Sequence, residues 1–328
     1  MPPVQGMTWA RIAGTGGYVP ERVMPNAELE SLVDTSDAWI RERSGIRQRH
    51  IAADDEMTSD MALAAAREAL QAADVSALEI DLIIVATTTA DRIFPSVACT
   101  VQRHLGSRAI PAFDVQAACS GFLFALDIAN RFVRTGGAKC VLVIGAEIYS
   151  RIIDWTDRTT CVLFGDGAGA VVLKASAEQS IISTHCHSDG RFEDLLFVNG
   201  GTVTAPAAVQ QDAAYIKMSG HEVFRRAVGT LGSIARETLD GNGFDQSELS
   251  WLVPHQANLR IIKATAKKLS LPMEQVIVTV DRHANTSSAS IPLALDVAVR
   301  DGRIQRGELL LLEGFGAGLT WGSALIRY

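Results

Sequence analysis

The sequence predicts an α/β fold with a duplicated strand-helix core. Three observations predict it: strand patterns alternate with amphipathic helix patterns, short segments recur at one constant spacing, and both halves end in a glycine cluster that leads into a strand. Alternating strands and helices are typical of parallel strands joined by right-handed crossovers, with helices on both faces of the sheet.

The constant spacing is 169 positions (235 − 66 for the first pair) and relates four pairs of segments. They are AREAL at 66–70 with ARETL at 235–239, EIDLIIV at 79–85 with ELSWLVP at 248–254, ALD at 125–127 with ALD at 294–296, and CVLVIG at 140–145 with LLLLEG at 309–314. Two long repeats indicate a duplicated domain and not a solenoid. We therefore predict an N-terminal half, residues 1–180, and a C-terminal half, residues 181–328.

Both halves show the same order of elements. In the first half the apolar periodicity predicts helix 62–73, strand 81–87, helix 96–105, strand 110–115, helix 122–134 and strand 140–145. In the second half it predicts strand 251–253, helix 258–269, strand 276–280, helix 291–300 and strand 309–312.

The glycine clusters are FGDGAGAVVL at 164–173 and FGAGLTWGSAL at 315–325. Strands follow them, whereas a dinucleotide-binding glycine motif opens a helix. Close packing of backbone against backbone explains these glycines better. The clusters are 151 positions apart (315 − 164), so the first half has about 18 extra residues (169 − 151) near EIYSRIIDWTDRTTCVLF.

Composition argues against several classes of function. The chain has 328 residues and a net charge of −7, which disfavours general nucleic-acid binding. No apolar run is long enough to cross a bilayer, and the N-terminal stretch MPPVQGMTWARIAG lacks a signal-peptide pattern. Five cysteines are an odd number and are scattered, unlike a disulfide framework. We expect a cytoplasmic protein without membrane insertion.

Three polar residues lie just past the carboxyl ends of predicted strands, where open α/β sheets hold ligands. They are Cys119, His255 and Asn285. Cys119 begins a predicted helix among small residues, so we expect the helix dipole to lower its pKa and the small neighbours to admit a thioester. Duplication would bring the strand ends of the two halves together, and with them these three side chains.

Each of these residues also has a purely structural interpretation. A lone cysteine is usually a core residue, a histidine can cap a helix, and an asparagine is common in turns. His283 is a rival catalytic base without a matching context. His185 and His187 flank Cys186 but lack further ligands nearby in the sequence, so we expect no metal site.

Four motifs in the same order resemble those of β-ketoacyl-ACP synthase III, where ACP is the acyl carrier protein. They are QAACSGF, VPHQAN, ANTSSAS and FGAGLTWGSAL. The resemblance runs essentially end to end. It implies a thiolase-like fold with layered α-β-α-β-α architecture, a homodimer, and no cofactor. It also implies that an acyl-CoA primer condenses with malonyl-ACP, with loss of carbon dioxide, to give 3-ketoacyl-ACP.

The resemblance assigns roles to particular residues. Cys119 is the nucleophile, His255 and Asn285 donate hydrogen bonds to the malonyl thioester carbonyl, and the backbone N–H groups of Cys119 and Ala317 form a second oxyanion hole. Many relatives have glycine where this chain has Ala284 and Ala317, so the backbone angles at these two positions need explaining.

Further residues are implied to contact the substrates and partners. Binding of coenzyme A (CoA) is assigned to Trp39, Arg43 and Arg158, and Phe94 is expected to reach across the dimer and close the acyl pocket of the partner subunit. Docking of the carrier protein is assigned to Arg225, Arg260, Lys263, Lys267 and Lys268. Four of the docking residues form a basic stripe at i, i+3, i+7 and i+8 on the helix after His255, and such a stripe suits an acidic partner.

Three other functions stay open at this point. A sister condensing enzyme of polyketide or quinolone type would use malonyl-CoA or a special primer. A cysteine hydrolase of the papain type also has the order Cys, His, Asn, but its cysteine motif contains tryptophan. A non-catalytic acyl-CoA sensor would have little reason to keep all three polar residues. The preferred primer cannot be read from the sequence.

Overall fold

The structure is a computed structural model and describes residues 8–199 and 215–328. Residues 1–7, which begin the N-terminal stretch discussed above, lie outside the described residues. The strands are β1 (Trp9–Tyr18), β2 (Arg22–Pro25), β3 (Gln48–Ile51), β4 (Leu82–Ala86), β5 (Ala112–Val115), β6 (Cys140–Ile148), β7 (Asp166–Ser176), β8 (Ile181–Ser188), β9 (Leu196–Val198), β10 (Ile216–Met218), β11 (Trp251–Pro254), β12 (Leu309–Gly316) and β13 (Thr320–Arg327).

The helices confirm most of the sequence-based boundaries to within a few residues. They are α1 (Asn26–Leu29), α2 (Asp37–Ser44), α3 (Thr58–Ala73), α4 (Val97–Leu105), α5 (Gly121–Arg134), α6 (Gly220–Asn242), α7 (Leu259–Lys268), α8 (Val280–His283) and α9 (Ser290–Arg300).

Two sheets form the core of the fold. The first has the strand order β1-β7-β6-β4-β5 and the second has the order β11-β12-β13-β8. The prediction of parallel strands is right for β4 with β5, β4 with β6, and β11 with β12. It is wrong for β1, β7, β8 and β13, which pair antiparallel with their neighbours. Between β12 and β13 the return of three residues, 317–319, leaves no room for a helical crossover.

The register confirms the duplication. Leu82 pairs with Val141 in the first sheet and Trp251 pairs with Leu310 in the second, so both partners are displaced by the same 169 positions (251 − 82 and 310 − 141). The first residue of α5, Gly121, is related to Ser290 at the start of α9 by the same spacing. The extra residues of the first half lie in the connection 149–165, where the second half has only 317–319.

The two sheets enclose the central helices α5 and α9, and further helices cover the outer faces. Inward side chains of both sheets, such as Ile84 and Leu312, pack with Phe122 and Leu295 of the central helices. α3 and α4 cover the outer face of the first sheet. Apolar residues of α6 and α7 cover the outer face of the second. The layered α-β-α-β-α architecture is therefore confirmed.

Backbone packing explains the glycine clusters, as the sequence predicted. A methyl group on Gly169 would lie only 2.5 Å from the backbone nitrogen of Leu293 in α9. Glycine at this position lets the central helix approach β7 closely.

The predicted strand 276–280 is wrong. Val276 makes only an isolated bridge to Leu252, and the chain turns into α8 from Val280.

The side chain of Gln256 takes the place of a strand partner for this segment. Its Oε1 accepts the N–H groups of Thr279 and Val280, and its Nε2 donates to the backbone carbonyl of Ile277.

Glu313 is an isolated carboxyl group in the middle of β12. Its side chain is fully buried on the same face as Leu309 and Leu311, and neither carboxyl oxygen has a hydrogen-bond partner among the described residues. Burial raises the pKa of Glu313 to about 8. The folded protein therefore holds a proton here between about pH 4.5 and pH 8, whereas the unfolded chain releases it.

We expect this group to destabilise the fold as the pH rises. Because the folded state binds the extra proton, the free energy of unfolding falls by about 1.4 kcal/mol per pH unit across that window. Glu313→Gln should remove this slope, so that its stability gain over the parent grows from pH 5 to pH 8 in urea unfolding curves. The exposed control Glu178→Gln should keep the parental slope; equal slopes for the parent and Glu313→Gln would contradict the assignment.

Candidate active site

Two short 3₁₀ turns, one from each half, meet between the sheets. They are Ala118–Ser120 and Ser287–Ala289, and each leads into a central helix. Both begin with a non-glycine residue at positive φ, +45° at Ala118 and +48° at Ser287. The spacing of 169 relates the two turns, so they are equivalent parts of the duplicated fold. Backbone strain of this kind is concentrated at functional sites.

Cys119 lies in the first turn, 4% exposed. A methyl group on Gly316 would lie 2.7 Å from the backbone nitrogen of Cys119, so this glycine lets β12 bring the next amide, that of Ala317, beside the turn. The Thr320 hydroxyl ties the two segments together, since it lies 3.0 Å from the carbonyl oxygen of Ala117 and 2.9 Å from that of Ala317.

The expected lowering of the thiol pKa is wrong for this structure. Burial raises the pKa of Cys119 to about 12, and the negative charge of Glu147 adds to that rise. A hydrogen bond from the Ser287 hydroxyl acts in the opposite direction. The helix dipole favours the thiolate as well, but α5 begins only at Gly121, and desolvation outweighs these contributions.

His255 follows β11 and is buried with its imidazole oriented by Ser290. Its Nδ1 lies 2.6 Å from Ser290 Oγ, which also accepts the backbone N–H of Gln256. Burial lowers the pKa of His255 to about 3, so the ring is neutral. When Ser290 donates to Nδ1, the ring proton is on Nε2, and Nε2–H is left as a hydrogen-bond donor.

Asn285 is held by its backbone and by its side-chain oxygen. Its N–H donates to the carbonyl of Leu163 and its carbonyl accepts from the N–H of Gly165. Its Oδ1 accepts the N–H of Ser287 at 2.9 Å. This contact assigns the oxygen to one side and leaves the Nδ2 group as a donor on the other.

The segment 285–290 therefore brings the three predicted residues together. Ser287 contacts Asn285 through its N–H and the Cys119 thiol through its hydroxyl, and Ser290 contacts His255. The sequence analysis gave these serines no role of their own. Nothing in their pattern indicated the contacts with Cys119 and His255, because these join residues that are distant along the chain.

Of the two alanines that replace glycine in many relatives, only one takes a conformation that favours glycine. Ala284 has φ +57° and ψ −158°, a region otherwise occupied almost only by glycine. Ala317 is not among the positive-φ residues of the described chain. An alanine at 317 therefore leaves its amide in ordinary geometry.

The three residues assigned to CoA lie together at the surface of the protein. The guanidinium carbon of Arg43 is 5.8 Å from the centre of the Trp39 ring, and that of Arg158 is 5.1 Å from it. Arg158 also donates to the carbonyl of Asp34 at 2.8 Å. Two cations around one aromatic face form a suitable site for a nucleotide.

The basic stripe on α7 is exposed as predicted, with Arg260, Lys263, Lys267 and Lys268 all at the surface. Arg225 on the neighbouring α6 forms an ion pair with Glu222 at 2.6 Å, which reduces the charge it presents. The end of α2 packs against the start of α7, since a Cβ on Gly45 would lie 2.5 Å from Leu259 Cβ. The helix that carries Trp39 and Arg43 is therefore a direct neighbour of the helix that carries the stripe.

Aromatic residues that the sequence analysis missed extend this surface. Arg226 lies 3.5 Å above the ring centre of Phe192, and Arg260 lies 5.4 Å from that of Phe224. Phe94 lies elsewhere on the surface and is 82% exposed, beside Ile93 at 73%.

The rival features of the sequence gain little support. His283 is buried with a pKa lowered to about 4, and its ring faces His50 with 6.0 Å between ring centres. Across residues 8–199 and 215–328, no three His, Cys, Asp or Glu side chains are placed to hold a metal ion. Within the same ranges, no helix has the length and apolar character needed to span a bilayer.

Comparison with known proteins places these features in a family. Residues 113–190 match the family model of 3-oxoacyl-[acyl-carrier-protein (ACP)] synthase III, and residues 239–328 match the model of its C-terminal part. A β-ketoacyl-[acyl-carrier-protein] synthase III from Thioalkalivibrio sulfidiphilus is 62% identical over 322 residues, covering 98% of this chain and 100% of that protein. The protein of that name from Thiobacillus denitrificans is 58% identical over 323 residues, again covering 98% and 100%.

Solved structures agree with the sequence matches. The 3-oxoacyl-[acyl-carrier-protein] synthase III from Aquifex aeolicus superposes with a TM-score of 0.92 at 48% identity, covering 97% of this chain and 100% of that one. The priming β-ketosynthase of the R1128 polyketide pathway superposes with a TM-score of 0.93 but is 38% identical, covering 99% and 98%. The fold is thus common to both proteins, and of these two the synthase III has the higher identity to this chain.

The conformation of Ala284 leads to a prediction about stability. Ala284→Gly should change the free energy of unfolding by no more than about 1 kcal/mol, because relief of strain offsets the lost methyl group and the added chain entropy. Ala284→Val should cost about 3 kcal/mol or more, since a β-branched residue fits neither the backbone angles nor the packed site. Urea unfolding of both variants tests this, and a harmless valine would contradict the assigned conformation.

Proposed function

The chain belongs to the β-ketoacyl-[acyl-carrier-protein] synthase III family, and on that premise we propose how its residues carry out the reaction. The protein is an acyltransferase that starts fatty acid synthesis by joining an acyl-CoA primer to malonyl-ACP, with release of CoA and carbon dioxide. The sister condensing enzyme of secondary metabolism fits less well, because two synthases III are 62% and 58% identical over nearly the whole chain, whereas the polyketide priming enzyme is 38% identical.

In the first half-reaction, the thiolate of Cys119 attacks the thioester carbonyl of the acyl-CoA and keeps the acyl group. Trp39, Arg43 and Arg158 bind the nucleotide end of CoA at the surface, through stacking and charge. The backbone N–H groups of Cys119 and Ala317 stabilise the oxyanion that forms at the acyl carbonyl. This is covalent catalysis in ping-pong order, and it requires neither metal nor cofactor.

In the second half-reaction, malonyl-ACP loses carbon dioxide and the resulting carbanion attacks the acyl group on Cys119. The enolate oxygen receives hydrogen bonds from His255 Nε2–H and Asn285 Nδ2. The observation that carries this proposal is the orientation of both side chains: Ser290 occupies Nδ1 of the imidazole and Ser287 occupies Oδ1 of the amide. With Ser290 donating to Nδ1, the imidazole keeps its proton on Nε2, so each side chain offers a donor to the substrate.

Two macromolecular partners follow from the same proposal. The acyl carrier protein docks on the stripe of α7 together with Arg225 of α6. A homodimer is supported by β5, which is an edge strand of the first sheet, and by the exposed Phe94, which would reach the acyl pocket of the partner. A cytoplasmic location is supported by the five cysteines, all of which are free thiols.

The acylated cysteine is the direct test of the function. Incubation with a panel of acetyl-, butyryl- and octanoyl-CoA should add one acyl mass per chain, located on Cys119 by peptide mapping. Cys119→Ala should take up none, while His255→Ala and Asn285→Ala should still acylate but turn over malonyl-ACP at least about 10²-fold more slowly. A wild-type protein that forms no adduct with any member of the panel would overturn the proposal.

The docking surface is tested by charge reversal. Lys263→Glu with Lys267→Glu should raise KM for malonyl-ACP about tenfold or more and weaken its salt dependence, while acylation by acyl-CoA stays within about twofold of wild type. Lys268 is left intact because its methylene groups pack on Gly232. The matched control reverses two exposed cations elsewhere, Arg67 and Lys139. Equal loss of both half-reactions would refute a docking role.

A further inference from the structure

We propose that Glu147 is the internal base of Cys119, reached from the thiol through a chain of three hydroxyl groups. In order from the thiol, the hydroxyls belong to Ser287, Tyr149 and Thr88. The inference rests on the proposed function, since it concerns how the nucleophile of the first half-reaction loses its proton. Glu147 never touches the substrate and acts only through the chain.

Each link of the chain is a contact in the structure. The Ser287 hydroxyl lies beside the Cys119 thiol, close enough to lower its pKa, and is 3.0 Å from the hydroxyl of Tyr149. Thr88 Oγ1 lies 3.2 Å from the Tyr149 hydroxyl and 3.0 Å from Glu147 Oε2. The ring of Tyr149 is fixed by packing on Phe164, with ring centres 5.0 Å apart. Hydrogen bonds therefore join Ser287, the hydroxyl beside the sulfur, to the carboxylate.

Glu147 is placed to exist in either protonation state. It lies in β6 and is fully buried, which raises its pKa. Donors around it stabilise the charged form: Oε2 accepts the backbone N–H of Thr88 at 3.0 Å and the hydroxyl of Thr89 at 2.6 Å, and Oε1 accepts the hydroxyl of Ser288 at 2.9 Å. Burial and hydrogen bonding thus oppose each other, as expected of a proton acceptor that must also release the proton.

Electrostatics explains why an internal acceptor is needed. Among the described residues, Glu147 is the charged group that acts on the Cys119 thiol, and it raises the thiol's pKa. Loss of the proton to solvent would leave two buried negative charges close together. Transfer to Glu147 keeps a single negative charge in the site and only moves it.

The other titratable groups near the chain do not compete for the proton. The pKa of Tyr149 is raised well above its usual value by burial and by the charges of Glu147 and Cys119, so its hydroxyl passes protons on without ionising. The pKa of His255 is lowered to about 3, which makes its imidazole a weak base.

The proton balance closes within the site. The thiol proton moves to Ser287 Oγ, the Ser287 proton to the Tyr149 oxygen, the Tyr149 proton to Thr88 Oγ1, and the Thr88 proton to Glu147 Oε2. The thiolate then forms a bond to the acyl carbon, and the bond from that carbon to the CoA sulfur breaks. The CoA thiolate takes the proton back along the hydroxyl chain, leaves as the thiol, and restores the Glu147 carboxylate.

Tyr149→Phe removes one hydroxyl from the chain and keeps the ring. Single-turnover acylation with the fastest acyl-CoA of the panel should be about 10²-fold slower at pH 6.5, the low end of general-base effects. The logarithm of the variant's acylation rate should then rise by about one per pH unit, because the thiol now loses its proton to solvent. The wild-type rate should be nearly constant from pH 6 to pH 8. Rapid quenching followed by intact-protein mass measures both.

A second break in the chain provides an independent check. Thr88→Val should reproduce the slow rate and the pH dependence, and Thr88→Ser, which keeps the hydroxyl, should restore both to near wild type. The double variant Tyr149→Phe with Thr88→Val should be no slower than either single variant, since one gap already interrupts the chain. Wild-type rates with a flat pH profile in both single variants would overturn the proposal.

The second half-reaction separates a proton-transfer role from a distorted pocket. Tyr149→Phe that has been acylated to completion should react with malonyl-ACP within about twofold of the wild-type rate. Equal slowing of both half-reactions would indicate a distorted pocket and would also overturn the proposal. A wild-type protein that forms no acyl-enzyme would instead refute the function itself, so the two failures are distinguishable.

Discussion

The site depends on one constraint, the close packing of two equivalent 3₁₀ turns from the two halves of the chain. The turn 118–120 supplies the thiol, and the segment 285–290 contacts the thiol, the imidazole and the carboxamide. Gly316 lets β12 approach the first turn closely enough to add a further amide. The relative positions of these groups are therefore set mainly by backbone packing and by short serine side chains, which have little freedom to move.

Burial has opposite consequences for the two half-reactions. A dry pocket keeps His255 neutral, which suits a group that must donate a hydrogen bond to an enolate. The same pocket holds the proton on Cys119, which opposes nucleophilic attack. A site that serves both steps needs a way to charge the thiol without admitting water. The buried carboxyl of Glu147, close to the thiol but separated from it by hydroxyl groups, meets that need.

The duplication, most elements and the three predicted residues could be read from the sequence, because they depend on periodicity, on spacing and on strand ends. The prediction of a strand at 276–280 was wrong because the side chain of Gln256 takes the place of a strand partner there, which no local pattern indicates. The predicted lowering of the Cys119 pKa was wrong, because the burial that raises this pKa exists only when the two halves are packed together. Glu147 and Tyr149 were missed for the same reason, since their contacts join residues far apart in the chain.

The pseudo-symmetry also explains why the chain has one reactive centre and not two. The spacing of 169 places Ser288 where the first half has Cys119, and it places Ala86 and Gln116 where the second half has His255 and Asn285. Ser288 has become structural, since its hydroxyl bonds to the carbonyl of Ala86 and to Glu147.

The half that lacks the imidazole and the carboxamide has the longer connection, 149–165, between β6 and β7. That connection supplies Tyr149, which contacts Ser287, and Arg158, which lies over the ring of Trp39. In the proposed mechanism the two copies have different tasks: one provides the nucleophile with its base and the surface for CoA, and the other provides the hydrogen-bond donors and the basic helix. Neither copy retains enough of these groups to form the site alone.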